Sequence, residues 1–477
     1  MSTNYSEKEM HPSAAYGCNS TLFGDKRLDE RYRKILGELT AKPNTSIMQA
    51  LGDIHQAKAC YRFWDNEKVS PGRILLQHKE ETMSRISKHD VILAVQDTTD
   101  IDLTTHPSVE GLGYLESESL LGIKVHTALA VSGEGQPLGL LWQKQWVRNP
   151  EEYGKRHDRK KKQTKDKESQ RWIDCHNELN ENLQSATTVI HIADRESDIF
   201  DLLASPRDSN QHLLIRFAQN RRVEHEEKRI KEALESTKPA GTIEVEVSRR
   251  RGEKPRKAKL TARYVKLDIL APLDRKLTQA IQAVKLTAIR VREEEPPADK
   301  TGIEWYLLTT LTVNDIEDVK TCTKYYSYRW LIERYHFTLK SGCQVEELQL
   351  ETVPRLMNAI ATYCIVGWRV FYLAYLARFL PETEAENIVT KDELEVLYFQ
   401  FNPQKMELPE KAPTAREIVI WVARLGGFAA RKSDGMPGVK TLWRGFLSLE
   451  YMVKGWVAAR SHFSNLSENI KSFSHYP

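Results

Sequence analysis

Between Tyr325 and Lys340 the chain reads YYSYRWLIERYHFTLK. The run holds no Gly or Pro, which predicts one uninterrupted helix from Tyr326 to Lys340. At about 100° per residue, Tyr326, Arg329, Glu333 and Lys340 fall within an arc of roughly 60°. One face then carries a phenol, two cations and a single carboxylate. Such a face suits phosphate chemistry, since Arg and Lys hold phosphate oxygens, a phenol donates to another, and a carboxylate ligates a divalent metal. The same spacing also describes an exposed Arg329/Glu333 ion pair on a solvated helix.

Two further acids stand out by their setting. VILAVQDTTDIDL, from Val91, is an apolar, β-branched run that predicts a strand with Asp97 at its end, facing a cleft. TTVIHIADRESDIFDLLAS repeats the arrangement: Val189 to Ala193 as a buried strand, Asp194 at its C-terminal end, and a helix over Glu196 to Leu203 with Ile199, Leu202 and Leu203 inward. One Asp at a strand end commonly caps a turn or helix. A second, with Glu333 beside cations, makes three hard carboxylates on separate elements. They are 97 and 139 residues apart, so no local metal loop holds them and a site requires the sheet to bring them together. Carboxylates without a His/Cys cluster favour a hard cation over zinc. Two Mg²⁺ ions roughly 4 Å apart would activate an oxygen nucleophile and shield a leaving 3′ oxygen in phosphodiester chemistry.

The elements that must position these groups fall into three parts. Residues 1 to 70 read as a helical unit in which Leu28, Tyr32, Ile35, Leu36 and Leu39 recur at helical spacing, leaving Arg27, Arg31, Arg33 and Lys34 largely on the other faces. Pro43 ends that helix. From about residue 90 strands dominate: KVHTALAVSG and PLGLLWQKQWVR form a hairpin across Gly133 to Gln136, and HLLIRFAQNRRVE is a strand carrying Arg216. TIEVEVSRRR, KAKLTARYVKLDIL, LTAIRVREE and EWYLLTTLTV predict an inserted antiparallel β subdomain over about 218–312. Its tip, Arg249 to Lys259, holds seven cations and one acid and favours an anionic partner, whereas the charge run Lys155 to Lys167 reads as a solvated loop or helix start, with phosphate contact the lesser reading. After Lys340 the chain is helical to its end. Ile360 to Leu380 is apolar but interrupted by Arg369 and Arg378, so it reads as a buried or subunit-contact helix rather than a membrane span.

Composition sets outer bounds. At 477 residues the chain divides into several domains, and 70 Lys+Arg against 66 Asp+Glu leave a net charge of +4, so any nucleic-acid surface is local. Six scattered cysteines without CxxC fit a reducing compartment and no structural zinc. No charged stretch followed by an apolar run stands in the first residues, so no signal peptide is expected there.

The combination of QDTTD around Asp97, ADRESDI around Asp194, and Tyr326-x2-Arg329-x3-Glu333-x6-Lys340 resembles the DDE transposases of the insertion-sequence-four family. LFGDKRL and AxYRFxxN, through Arg62, resemble that family's N-terminal end-binding domain, and ARLGGF and LWRG its C-terminal region. The resemblance implies an α/β fold with an RNase H-like catalytic core interrupted by a β insertion, flanked by helical domains. The expected boundaries are 1–70 for end binding, 71–380 for catalysis and 381–477 for dimerisation. It also implies that Asp97, Asp194 and Glu333 ligate two Mg²⁺ ions, with Mn²⁺ able to substitute. Tyr326, Arg329 and Lys340 would contact the transposon end, and Trp305 would stack a flipped base as the end closes into a hairpin. Arg216, Arg27, Arg31 and Arg62 would touch DNA. The partners implied are terminal inverted repeats, target DNA and a second copy of the chain, with no membrane, in a bacterial cytoplasm at the nucleoid. The rival readings are a nuclease of the same core that does not join ends, and an end-binding regulator without catalysis. The intact Asp97, Asp194, Glu333 and Lys340 argue against the regulator, Trp305 against the nuclease. One departure from the pattern is Ser197, where the family often carries alanine.

Overall fold

A computed structural model describes residues 21–155, 162–183, 187–247, 256–273, 283–297, 302–384, 389–431 and 434–473. The expectations for the basic run Lys155 to Lys167 and the basic tip Arg249 to Lys259 fall partly outside them, at 156–161 and 248–255.

The N-terminal unit forms as its apolar spacing predicts. Asp25 accepts the backbone N–H of Arg27 and starts α1 (Lys26–Ala41), whose Tyr32, Ile35, Leu36 and Leu39 are buried. Ser46 and Gln49 make a capping box at α2 (Ile47–Leu51), and Asp53 caps α3 (Ile54–Trp64). Phe23, Tyr32 and Phe63 pack ring on ring between them. α4 (Pro71–Ile86) then leads into the sheet.

The described strands are β1 (Val91–Asp102), β2 (Gly113–Tyr114), β3 (Leu121–Ser132), β4 (Pro137–Trp146), β5 (Thr188–Ala193), β6 (Gln211–Arg216), β7 (Gly241–Val247), β8 (Arg256–Leu270), β9 (Ala283–Glu293) and β10 (Glu304–Thr309). They make one sheet in the order β2-β3-β1-β5-β6-β10-β9-β8-β7, with β4 on β3. β1, β5 and β6 are parallel, the other pairs antiparallel. α5 (Gln170–Asn182), α6 (Phe200–Leu203) and α7 (Ile230–Ser236) lie between strands.

The inserted strands pair antiparallel, and β10 pairs with both β6 and β9, so the insertion extends the central sheet and covers the β6 edge. Three expectations change. Asp97 is not at the end of its strand. β3 pairs with β1 along its whole length, Asp97 opposite Thr127, while the parallel neighbour β5 stops opposite Val95, so Asp97 sits where one side of the strand loses its partner. The helix expected from Glu196 is a 3₁₀ turn, Arg195–Ser197, followed by the short α6.

The helix expected from Tyr326 to Lys340 is also divided, into α8 (Ile316–Ser327) and α9 (Trp330–Ser341). Across the junction the N–H groups of Tyr328, Arg329, Leu331 and Ile332 bond three residues back, tightening the turn. Tyr328 is held from outside: its hydroxyl donates to the Glu134 carbonyl at 2.9 Å, and its ring lies over Gly135, where a Cβ would come within 2.4 Å of it.

α10 (Val353–Phe379) runs through the centre of the molecule. Val353–Leu376 is long and apolar enough to cross a membrane, but 83% of its most apolar window is buried within the molecule, as expected of an internal helix. It packs on α1, α3, α4, α9 and β4. The buried Trp64 indole N–H donates to Thr362 at 3.1 Å and Asn358 donates to the Trp64 carbonyl at 2.8 Å. α11 (Lys391–Phe401), α12 (Ala415–Leu425) and α13 (Val439–Phe473) complete the chain. The glycines of ARLGGF and LWRG let α12 and α13 touch: a Cβ on Gly445 would lie 1.7 Å from the Val422 carbonyl, and one on Gly426 2.0 Å from that of Thr441.

Candidate nuclease and DNA site

Asp97, Asp194 and Glu333 arrive from β1, the loop after β5, and α9. Thr98 N–H donates to Asp97 Oδ1 at 2.9 Å, and Glu196 N–H to Asp194 Oδ1 at 2.9 Å, so each Asp has one oxygen fixed by the backbone. Asp97 has 22% of its side chain exposed, and its carboxyl is pushed up to about 7. Burial is the main cause, and the negative charges of Asp194 and Glu333 add to it, while Arg329 and the Thr98 N–H oppose it. Asp97 is thus close enough to Asp194 and Glu333 to feel the charge of both. Glu333 is exposed and turned to Arg329, with which it makes a close ion pair. As arranged, no three His, Cys, Asp or Glu side chains among the described residues are gathered tightly enough to hold an ion. The donor set fits a hard divalent cation, whose charge would favour the ionised Asp97 that burial and the neighbouring acids oppose.

The cations and aromatics of the sequence reading cluster beside this group. Arg329 precedes α9, and its guanidinium acts electrostatically on both Asp97 and Tyr326. Arg216, at the end of β6, donates to the Glu304 carbonyl at 3.0 Å and feels the charges of Tyr326, Arg195 and Arg329. The Tyr326 hydroxyl is buried and makes no hydrogen bond of normal geometry, although both guanidiniums lie close enough to influence it. Burial raises its pKa. Trp305, on β10, meets Tyr326 edge to face at 5.2 Å. Lys340 is held 2.9 Å from Glu346, which also accepts the Asp102 N–H at 3.0 Å. Arg27, Arg31 and Arg62 are not part of this cluster: they sit on α1 and α3, Arg27 and Arg62 exposed and Arg31 bonded to Gln56 at 3.2 Å.

Several supporting residues escaped the sequence reading. Asp198 is buried, accepts the N–H groups of Ala218 and Gln219 at 2.9 and 2.8 Å, and pairs with Arg221 at 2.7 Å, tying the loop after Asp194 to the start of the insertion. The repeated acid of DRESD was the available signal. His336, three residues after Glu333, is buried 3.9 Å from Asp97; burial, aided by Lys340, takes its pKa down to about 3, so it is neutral. Arg171, on α5, reaches Thr98 and Glu196, and nothing in QRWID announced it.

Three family models match the chain in order. A transposase DNA-binding model matches residues 14–69, a transposase DDE-domain model residues 157–366, and a transposase Tn5 dimerisation-domain model residues 365–466. The chain belongs to the DDE transposases. The transposase is thus a DNA-cleaving, strand-transferring enzyme that binds DNA ends and forms a homodimer, and DDE domains depend on divalent metal. Its mixed α/β centre with helices at both ends agrees with the expected fold class. Asp194, Tyr326, Arg329, Glu333 and Lys340 lie inside the DDE match; Asp97 lies in the stretch between the first two matches.

Proposed function

We propose that this transposase works by cut and paste, excising an element bounded by terminal inverted repeats through a hairpin and joining its 3′-OH ends to target DNA. The observation that carries the reading is the single cluster of Asp97, Asp194 and Glu333 against Arg329, Tyr326 and Trp305. Asp97, Asp194 and Glu333 would hold two divalent cations, Mg²⁺ by preference, supplying an activated attacking oxygen and charge shielding at the leaving 3′ oxygen. Arg329, freed when Glu333 turns to its ligand position, binds a phosphate beside the cut. Tyr326 donates its unused hydroxyl to the same backbone, and Lys340 exchanges Glu346 for phosphate. Trp305 offers its face to an extruded base, recovering about 1–3 kcal/mol of stacking as the end bends. Each step is then an in-line attack of oxygen on phosphorus: water nicks the end, the freed 3′-OH attacks the opposite strand, water opens the hairpin, and the 3′-OH attacks the target. One set of side chains serves all four.

Arg27, Arg31 and Arg62 on α1 and α3 bind the repeat, with domain limits at about 70 and 380. Arg216 contributes beside Tyr326. The setting is the bacterial cytoplasm, at the nucleoid.

The test uses a labelled linear duplex carrying the element's own repeat. In Mg²⁺ the native protein is expected to give a nick and then a hairpin at the repeat boundary. Glu333→Ala should bind and do neither, and Trp305→Ala should nick normally but accumulate unhairpinned 3′-OH ends. Nicking without any hairpin by the native protein would overturn the cut-and-paste reading.

A further inference from the structure

The guanidinium of Arg171 is buried, with 9% of its side chain exposed, and all three of its nitrogens are used. Nε donates to Thr98 Oγ1 at 2.9 Å, Nη1 to the Glu168 carbonyl at 2.9 Å, and Nη2 to Glu196 Oε2. Trp146 and Trp172 flank it at 5.7 and 5.2 Å from the ring centroids.

Two of its partners have a common property. Thr98 is the residue whose N–H holds Asp97 Oδ1, and Glu196 is the residue whose N–H holds Asp194 Oδ1. One rigid, planar group therefore grips, from the side-chain end, the two residues that fix the two aspartates from the backbone end. The strands β1 and β5 pair only as far as Val95 and Ile192, so backbone hydrogen bonding between them stops short of both acids. The grip is braced on both sides. Thr98 Oγ1 also bonds His126 Nδ1 at 2.8 Å, and His126 lies edge to face against Trp172. The Glu168 carboxylate takes the Trp146 indole N–H and two donors of Arg148.

We propose that Arg171 is a positioning residue that sets the separation of Asp97 and Asp194 and thereby the affinity of the site for divalent metal. The proposal rests on Asp97 and Asp194 being metal ligands. Arg171 touches neither metal nor DNA in this role; it acts through Thr98 and Glu196. Lysine in its place keeps the charge but forms no fork, so it cannot hold both residues at once. Groups that orient ligands in this way typically carry about 10–100-fold in metal affinity.

The experiment measures Mn²⁺ binding to the full-length, DNA-free protein by the loss of the free-ion electron paramagnetic resonance signal. Arg171→Lys is compared with Thr98→Val, which breaks the same bridge at its other end while leaving Arg171 in place. Both are expected to bind Mn²⁺ at least 10-fold more weakly, to bind the repeat normally in EDTA, and to recover nicking as Mn²⁺ is raised to saturation. A purely structural role would lower the melting temperature and repeat binding and leave Mn²⁺ affinity in the folded fraction unchanged, and that result would overturn the proposal. Asp97→Ala separates the two levels. If it loses Mn²⁺ binding while Arg171→Lys and Thr98→Val do not, the positioning role fails alone. If it too binds Mn²⁺ as the native protein does, the ligand assignment beneath it fails.

Discussion

Replacing Asp97 by Asn should make the metal-free protein more stable as it destroys its activity. Asp97 ionises at 3.8 in an unfolded chain and near 7 in the fold. Above pH 7 the native protein therefore carries a carboxylate that its surroundings oppose. At about 1.4 kcal/mol per factor of ten in proton affinity, the full penalty is about 4 kcal/mol. With 22% of the side chain exposed, screening reduces this, and about 2 kcal/mol is the working figure. The sign follows from proton binding: between pH 3.8 and about 7 the unfolded state has released the proton and the native state has not. Native stability from this group is thus full below pH 3.8, declines through the interval and is lost above pH 7. Asp97→Asn lacks the titration. In EDTA its melting temperature should match that of the native protein near pH 4 and exceed it by about 4 °C at pH 8, at roughly 2 °C per kcal/mol for a domain of this size. Adding Mg²⁺ at pH 8 should raise the native value and leave the variant unmoved. Scanning calorimetry across pH 4.5–8.5, with and without metal, reads both. A difference between the two proteins that does not grow with pH would refute the reasoning that burial, with the neighbouring acids, opposes the charge on Asp97.

Tyr326→Phe removes a buried hydroxyl that, among the described residues, makes no hydrogen bond of normal geometry, beside the guanidiniums of Arg216 and Arg329. It should stabilise the DNA-free protein by about 1 kcal/mol while weakening repeat binding severalfold, read by calorimetry and mobility shift. Asp198→Asn leaves Arg221 buried without its counter-charge and should cost about 3–5 kcal/mol, measured by denaturant unfolding. Gly135→Ala meets the Tyr328 ring at a backbone φ of 92°. It should cost about 2–4 kcal/mol and, by displacing the turn before α9, slow nicking beyond what the lost folded fraction explains.

The elements that carry the proposed site residues were legible in the sequence because their signals are local. A β-branched run before Asp97, a buried strand before Asp194 and a helical repeat through Glu333 each declare an element within a dozen positions. What was not legible depends on partners far along the chain. The helix through Tyr326 to Lys340 tightens because Tyr328 is pinned to the loop at Glu134, 194 residues earlier. Asp97 moves from strand end to strand middle because β3 pairs beyond the point where β5 stops. The insertion joins the sheet because β6 has a free edge for β10, a fact of pairing that composition does not encode. Arg171 offers no pattern at all, since one arginine in a helix gains meaning only from the two loops it grips.

The join between the DDE and dimerisation matches, at residues 365 and 366, falls inside α10. The two matches therefore meet within one continuous helix. Inserting or deleting a single residue there would turn the dimerisation helices by about 100° and shift them about 1.5 Å against the carboxylates.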